Sequence, residues 1–462
     1  MRYQTPRRKI AVVPSTPSTN PRNSGARVLS TRAYTLPTEI LGLIFEACGL
    51  FESAYASQQC AFSLGCTTKY FREVALCTPF LWGHIEHTTS WPNTSLSRIT
   101  TCLQRSKNKP LRIVFRIGDD NLVENIHCVL DRINPHIHRW QELQIIGSFY
   151  YRIPVWIDRL ARAEAPNLKT LFIAGGGFRD AIVPEESKLF NFGAPRLLSV
   201  KFRNVLPQQC LPPLTFVRRL QIEGASEFSD AYPILNGLSH LTHLSIIHSC
   251  SDGSLTSEIH LPALLALGIS ARTNSHLLPE FLGALRAPSL ESLSLVGVDT
   301  KQLVRLFANT DLSETPNFPA LRSLTIGSVD GNISAEHWDQ LTVLFPHITD
   351  FTLIDMGLST APFNLGLGES GLLHWKPLNT FTLRGIPGAE KAAVEHTTRA
   401  LLQLLLLRMK MGCPIRDLRI SKPIFDAIES MGHMADLDSA VGRYEVCQVY
   451  LSGYGLVKAM FW

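Results

Sequence analysis

The apolar residues of this chain do not fall into long helical stripes. Through most of its length they recur as a short phrase, roughly Pro-x-Leu-x-x-Leu-x-Leu. Clear copies are "APNLKTLFIAG" (165–175), "APRLLSVKF" (194–202), "LSHLTHLSII" (238–247), "LPALLALGI" (261–269), "APSLESLSLVG" (287–297), "FPALRSLTIG" (318–327), "FPHITDFTLI" (345–354), "KPLNTFTLRG" (376–385) and "CPIRDLRI" (413–420), with weaker ones at 139–147 and 216–224. In such a phrase alternate residues point to opposite sides, so each copy predicts a short strand with its leucines on one face.

The last inward apolar residues are Ile145, Ile173, Phe202, Ile222, Ile246, Ile269, Leu295, Ile326, Leu353, Leu383 and Ile420, at steps that vary from 20 to 37 residues. Leucine-rich repeats run ~20–29 residues, so most steps match and a few carry insertions. One repeat cannot bury its apolar face, whereas stacked neighbours share a core. The segments between the phrases read as helices, among them "TKQLVRLFANT", "EHWDQLTVLF" and "AEKAAVEHTTRALLQLLLLRM". Residues 139–425 are thus expected to form one curved α/β solenoid, with residues 426–462 as its C-terminal cap.

Ahead of the repeats the pattern turns helical. In "LPTEILGLIFEACGL", Ile40, Leu41, Ile44, Phe45 and Cys48 share one broad helix face. Pro37 suits a first turn, and Thr35 is a plausible cap. "SLGCTTKYFREVAL" predicts a further helix with Leu64, Phe71, Val74 and Ala75 inward, ended by Pro79 and followed by Leu81 and Trp82. Residues 35–90 form this opening block. Residues 91–138 read as helix, strand ("PLRIVFRI") and helix, a linker and N-terminal cap for the solenoid.

Composition sharpens the picture in a few places. Hydrophobic residues make up 45% and charged residues 18%, which excludes wholesale disorder. Residues 1–34 are the exception: seven basic residues, four prolines and no acid predict a solvated, disordered tail. Its "PRRK" has the look of a nuclear address, and its prolines disfavour a presequence helix. The net charge of +5 is modest for 462 residues and gives no reason to expect nucleic acid. The ten cysteines show no Cys-x-x-Cys spacing, which favours reduced thiols in the cytoplasm or nucleus over disulfides or zinc. "ALLQLLLL" is closed by Arg399 and Arg408, too short for a membrane span.

No pattern for catalysis, cofactor or metal emerges. "AGGGF" (174–178) lacks the Lys-Ser/Thr of a phosphate loop. His240, His243 and His248 bracket a repeat strand with no acidic residue in register, and packed or solvated histidines are expected there. The chemistry-bearing residues instead lie on the strand face away from the leucines, the concave side where repeat arrays bind partners. The candidate substrate-binding residues on that stripe are Lys201, Arg203, Arg219, Glu223, His243, Arg384 and Arg419, between which Ser and Thr predominate.

The opening block resembles an F-box. Leu36-Pro37-x-Glu39-Ile40-Leu41 with Ile44-Phe45 is similar to that motif's first helix, and "TTKYFREVAL" followed by "TPFLWGHI" is similar to its second half. Thr67 and Thr68 stand where the motif usually has Val and Cys or Ser, and Phe71 where Trp is commoner. An F-box followed by irregular leucine-rich repeats, the order over residues 35–425, is widespread in the F-box families of mushroom-forming fungi. The resemblance implies a substrate receptor of a ubiquitin ligase, held by a Skp-type adaptor and through it a cullin, with an unknown protein substrate on the repeats. It implies no cofactor, no nucleic acid, no membrane and no catalysis by this chain. At the matching positions, Leu36, Pro37, Ile40, Leu41, Ile44 and Phe45 would touch the adaptor or support that contact from behind. Phe71 and Trp82 would pack the block and part of the interface. The rival expectation is a repeat scaffold whose helical block is only an intramolecular cap, since arrays need capped ends.

Overall fold

Each copy of the leucine phrase forms a strand, and consecutive strands lie side by side. The computed structural model describes residues 36–48, 54–88, 94–117, 123–147, 159–175, 188–205, 207–224, 232–248, 258–271, 277–298, 300–309, 318–327, 335–354, 371–385 and 391–447. Thr35, the basic tail and most of "AGGGF" fall outside these residues.

Three helices open the described chain: α1 (Thr38–Cys48), α2 (Ala54–Thr67) and α3 (Lys69–Leu76), followed by a 3-10 turn, Pro79–Trp82. The single helix expected over 63–76 is two, because Thr68 interrupts it. Its side chain accepts the Phe71 backbone N–H at 3.1 Å, capping α3 in place of a continued helical bond. Thr68 therefore has a structural task in this chain.

The principal strands follow in order: β1 (His84–Thr88), β2 (Leu111–Ile117), β3 (Trp140–Gly147), β4 (Thr170–Gly175), β5 (Ser199–Arg203), β6 (Arg219–Glu223) and β7 (His243–His248). After them come β8 (Ile259–His260), β9 (Ala266–Ala271), β10 (Leu285–Arg286), β11 (Ser292–Val296), β12 (Ser323–Gly327), β13 (Asp350–Ile354), β14 (Thr380–Arg384), β15 (Ile415–Ser421) and β16 (Val441–Cys447). All but β8 and β10, which pair with each other, form a single 14-stranded sheet in sequence order. Every pairing along it is parallel, including the first, β1 with β2, and the last, β15 with β16. This is a repeat solenoid, and its sheet starts inside the opening block and runs beyond residue 425.

Register explains its coherence. Leu267, Leu293 and Leu324 stand opposite one another, as do Ile269, Leu295 and Ile326. Phe351 and Phe381 continue the first of these rows with stacked rings 5.9 Å apart. These rows feed one hydrophobic core that runs from Leu41 in α1 to Val441 in β16. The long helix Lys391–Lys410 contributes Leu401, Leu402, Leu404 and Leu405. Its buried Arg408 donates to the carbonyls of Leu372, Trp375 and Leu378 at 2.6, 3.0 and 3.3 Å, tying it to the preceding repeat. Gly224 closes β6 at φ +69°, where a Cβ would collide with Asn204.

The face away from the leucines departs from expectation. In its central row Gln221, Ser245, Ser294 and Thr325 are buried, with Ser294 only 2% exposed. The row above them is apolar and buried at Ile247, Val296 and Ile354. The open part of the polar face therefore does not extend evenly along the array.

In β1, His84 and His87 point to opposite faces and both are buried. Burial holds His87 at about 4, and burial with the nearby Arg112 charge holds His84 at about 4, against an ordinary 6.5. Below pH 6.5 the unfolded chain takes up protons that the folded one refuses until about pH 4. Stability is therefore full above 6.5 and falls through that window. The urea midpoint should drop as pH is lowered from neutral towards 5, with a flatter dependence in a His84→Gln/His87→Leu variant. An equal slope in both chains would remove the histidines as its cause.

Candidate functional site: a half-exposed helix and a charged sheet face

Helix α1 is apolar on two sides, and only one of them is used internally. Leu41 and Phe45 are buried, with the Phe45 ring edge-on to Phe71 at 5.5 Å. Leu36 is half-buried and its carbonyl accepts the Tyr70 hydroxyl at 2.7 Å. Trp82 is fully inside, its indole N–H donating to the Ala75 carbonyl at 2.8 Å. The Arg105 guanidinium lies 4.4 Å from the Trp82 ring centre, and the Phe62 ring is edge-on at 5.4 Å.

The other side of α1 faces solvent. Ile40 is 44%, Ile44 43% and Leu43 62% exposed, and Pro37 is exposed one turn earlier. Positions 40, 43 and 44 stand at i, i+3 and i+4, so the three form one patch. Of the expected adaptor residues, then, Pro37, Ile40 and Ile44 are outside, Leu36 and Phe71 half-buried, and Leu41, Phe45 and Trp82 inside. Leu43 was not singled out from the sequence, although its i+3 spacing from Ile40 was the available signal.

The candidate substrate residues form two groups. Lys201 and Arg203 on β5, Arg219 and Glu223 on β6 and His243 on β7 are neighbours by register. Glu223 is buried, and accepts from Arg203 Nε at 2.9 Å with Lys201 Nζ at 3.9 Å. Both cations also lie 5.3 Å from the Phe172 ring centre. Burial, aided by the Arg219 charge, lowers the His243 pKa from its ordinary value, which favours a neutral ring. Arg384 on β14 and Arg419 on β15 are separated from this group by β9, β11, β12 and β13. Arg419 pairs with Glu445 at 3.4 Å. The seven residues fall into two separate groups rather than one stripe, and the buried central row lies between them.

Among the described residues no group of three His, Cys, Asp or Glu side chains is placed to hold a metal ion. Burial raises the Cys102 thiol to about 11 and raises Cys210 as well, which makes both poor nucleophiles. A cleft of about 460 Å³ between the β5 and β7 repeats is lined by Leu189, Leu211, Pro212, Ile234 and Leu238, with Lys188 the one ionisable side chain among the described residues of its lining. Among the described residues, these groups form exposed apolar and charged surfaces rather than a cluster of nucleophile, base and acid. No helix among the described residues is long and apolar enough to cross a membrane.

No protein-family model and no curated protein matches the sequence. Among solved structures, a protein of Bacteroides fragilis is similar over 68% of this chain and 78% of its own, at 13% identity and a TM-score of 0.33. An internalin of Listeria monocytogenes is similar over 77% of this chain and 83% of its own, at 12% identity and a TM-score of 0.30. Likeness this distant says nothing about partners or activity.

Proposed function

We propose that this chain is the substrate-recognition subunit of an SCF-type ubiquitin ligase. In this reading residues 35–90 are the F-box, docked on a Skp-type adaptor and through it on a cullin. The repeats take up a protein substrate, and ubiquitin transfer belongs to the other subunits. Work of this kind places the protein in the cytoplasm, the nucleus or both. The observation that carries the proposal is the exposed apolar patch of Ile40, Leu43 and Ile44. A helix that served only to cap the core would turn its apolar side chains inward. Here Leu41 and Phe45 already do that, and a second apolar face is left for a partner.

Capping and docking are thus carried by different residues of one helix. The measurement that tests the proposal is capture of a recombinant Skp-type adaptor by the full-length chain. Stoichiometric capture that survives washing supports it, and no capture by the wild-type chain refutes it.

A further inference from the structure

On the first half of the polar sheet face, carboxylates lie beneath the cations that pair with them. The Glu86 side chain is 4% exposed while its partner Arg116, at 2.6 Å, is 47% exposed. Glu223 is 8% exposed under Arg203 at 35%. Glu142 and Arg112, 3.6 Å apart, repeat the order at 26% and 44%. In all three pairs the guanidinium is the outer member. Arg219 is exposed on β6, in the register row of Arg112 and Glu142, and adds positive charge at that level of the face. Phe172, half-buried on β4, offers an aromatic ring among these groups. A partner approaching this face meets guanidinium edges and a ring before any carboxylate.

We infer that the face from β2 to β6 receives an acidic, extended segment of a partner protein. Carboxylates of that segment bridge to Arg116, Arg203 and Arg219, and an apolar side chain settles on Phe172. The inference rests on the substrate-receptor reading and supplies the chemistry of what the repeats take up. A guanidinium has five N–H donors, so an arginine engaged by a glutamate on the sheet keeps donors for a second carboxylate.

The spacing agrees. Strands lie about 4.8 Å apart, so β2 and β5 are separated by roughly 14 Å, about two same-side steps of an extended chain. Acidic residues four apart in a segment crossing the strands would reach Arg116 and Arg203. Nucleic acid fits less well, because Arg112, Arg116 and Arg203 are each charge-paired with Glu142, Glu86 and Glu223, so the face lacks the net positive stripe that a phosphate backbone needs, whereas a few carboxylates need only the spare N–H donors. Beyond β6 the central row is neutral and buried at Ser245, Ser294 and Thr325, which bounds the site.

The test uses the full-length chain and a fluorescein-labelled oligoglutamate with one central leucine, read by fluorescence anisotropy at low salt. Oligoglutamine and a single-stranded oligonucleotide serve as comparison probes. Oligoglutamate should bind, and Arg219→Gln should weaken it ~3–10-fold, with ~100-fold for R116Q/R203Q/R219Q. Arg399→Gln, on a helix away from the face, should leave binding unchanged. Arg219 is exposed, so its variant remains decisive where loss of the cations over Glu86 and Glu223 unfolds the triple variant. No binding, equal effects of R219Q and R399Q, or an oligonucleotide that binds as tightly would each overturn the inference. Adaptor capture on the same preparation separates the two readings. A chain that holds adaptor but ignores oligoglutamate overturns this inference alone. A chain that binds oligoglutamate without adaptor supports it and removes the ligase reading.

Discussion

Replacing Leu324 by Asp should destabilise the repeat array by at least ~4 kcal/mol, shifting the urea midpoint far down or abolishing soluble expression. Leu324 has no exposed surface and stands in register with Leu293 on one side and Phe351 on the other. A carboxylate there either loses its hydration or takes up a proton, and no described neighbour in that leucine row offers a hydrogen bond. Leu293→Asp should behave alike, while Ser323→Asp, half-buried on the opposite face, should cost far less. Equal urea midpoints for Leu324→Asp and Ser323→Asp would contradict the assignment of the two sheet faces.

The second large effect falls on the opening helix. Leu43→Ser with Ile44→Ser should abolish or sharply reduce adaptor capture, because apolar anchors at the centre of an interface carry most of its energy. The same pair should lower the melting temperature by only a few degrees, since Leu43 and Ile44 are both largely or partly exposed and neither belongs to the core. Phe45→Ala is the counterpart. Its buried ring against Phe71 should cost about 3–5 kcal/mol of local stability, as large-to-small core changes do. A double variant that lowers stability while capture persists would assign α1 to capping alone and sink the docking proposal.

The repeats were legible because their signal is periodic. Eleven phrases each place two or three apolar residues at alternate positions, and one parallel register satisfies all of them. The end strands were not legible in that way. β1 is "HIEHT" and β16 is "VGRYEVC", and neither contains the leucine phrase, because an end strand shares its core with a neighbour on one side only. The helix break at Thr68 was missed for a local reason, a side-chain cap competing with a backbone bond inside a helical pattern.

The candidate sites were legible as residue types but not as surfaces. Ile40, Leu41, Ile44 and Phe45 look alike in one dimension, and only packing against Phe71 and Trp82 separates the inner pair from the outer. Lys201, Arg203 and Glu223 were named together, yet the burial of Glu223 beneath the two cations depends on neighbouring strands. The Ser and Thr row suggested a solvated face from polarity. A buried hydroxyl and an exposed one are written with the same letter.

The 14-stranded ladder also bears on how copies of this chain behave at high concentration. A strand with a neighbour on one side only is a template on which another sheet can grow end to end. Among the described strands, β16 is one such terminus, and it is guarded by charge: Arg443 pairs with Asp417 and Glu445 with Arg419 on β15, all four on the polar face. Residues Gly442 through Glu445 are exposed along its middle. A second copy adding β1 there would set Glu86 in the row of Glu445, like charge beside like charge, and would strip water from Arg443. The charged residues that finish the last described repeat thus also disfavour end-to-end addition of a second copy at that edge.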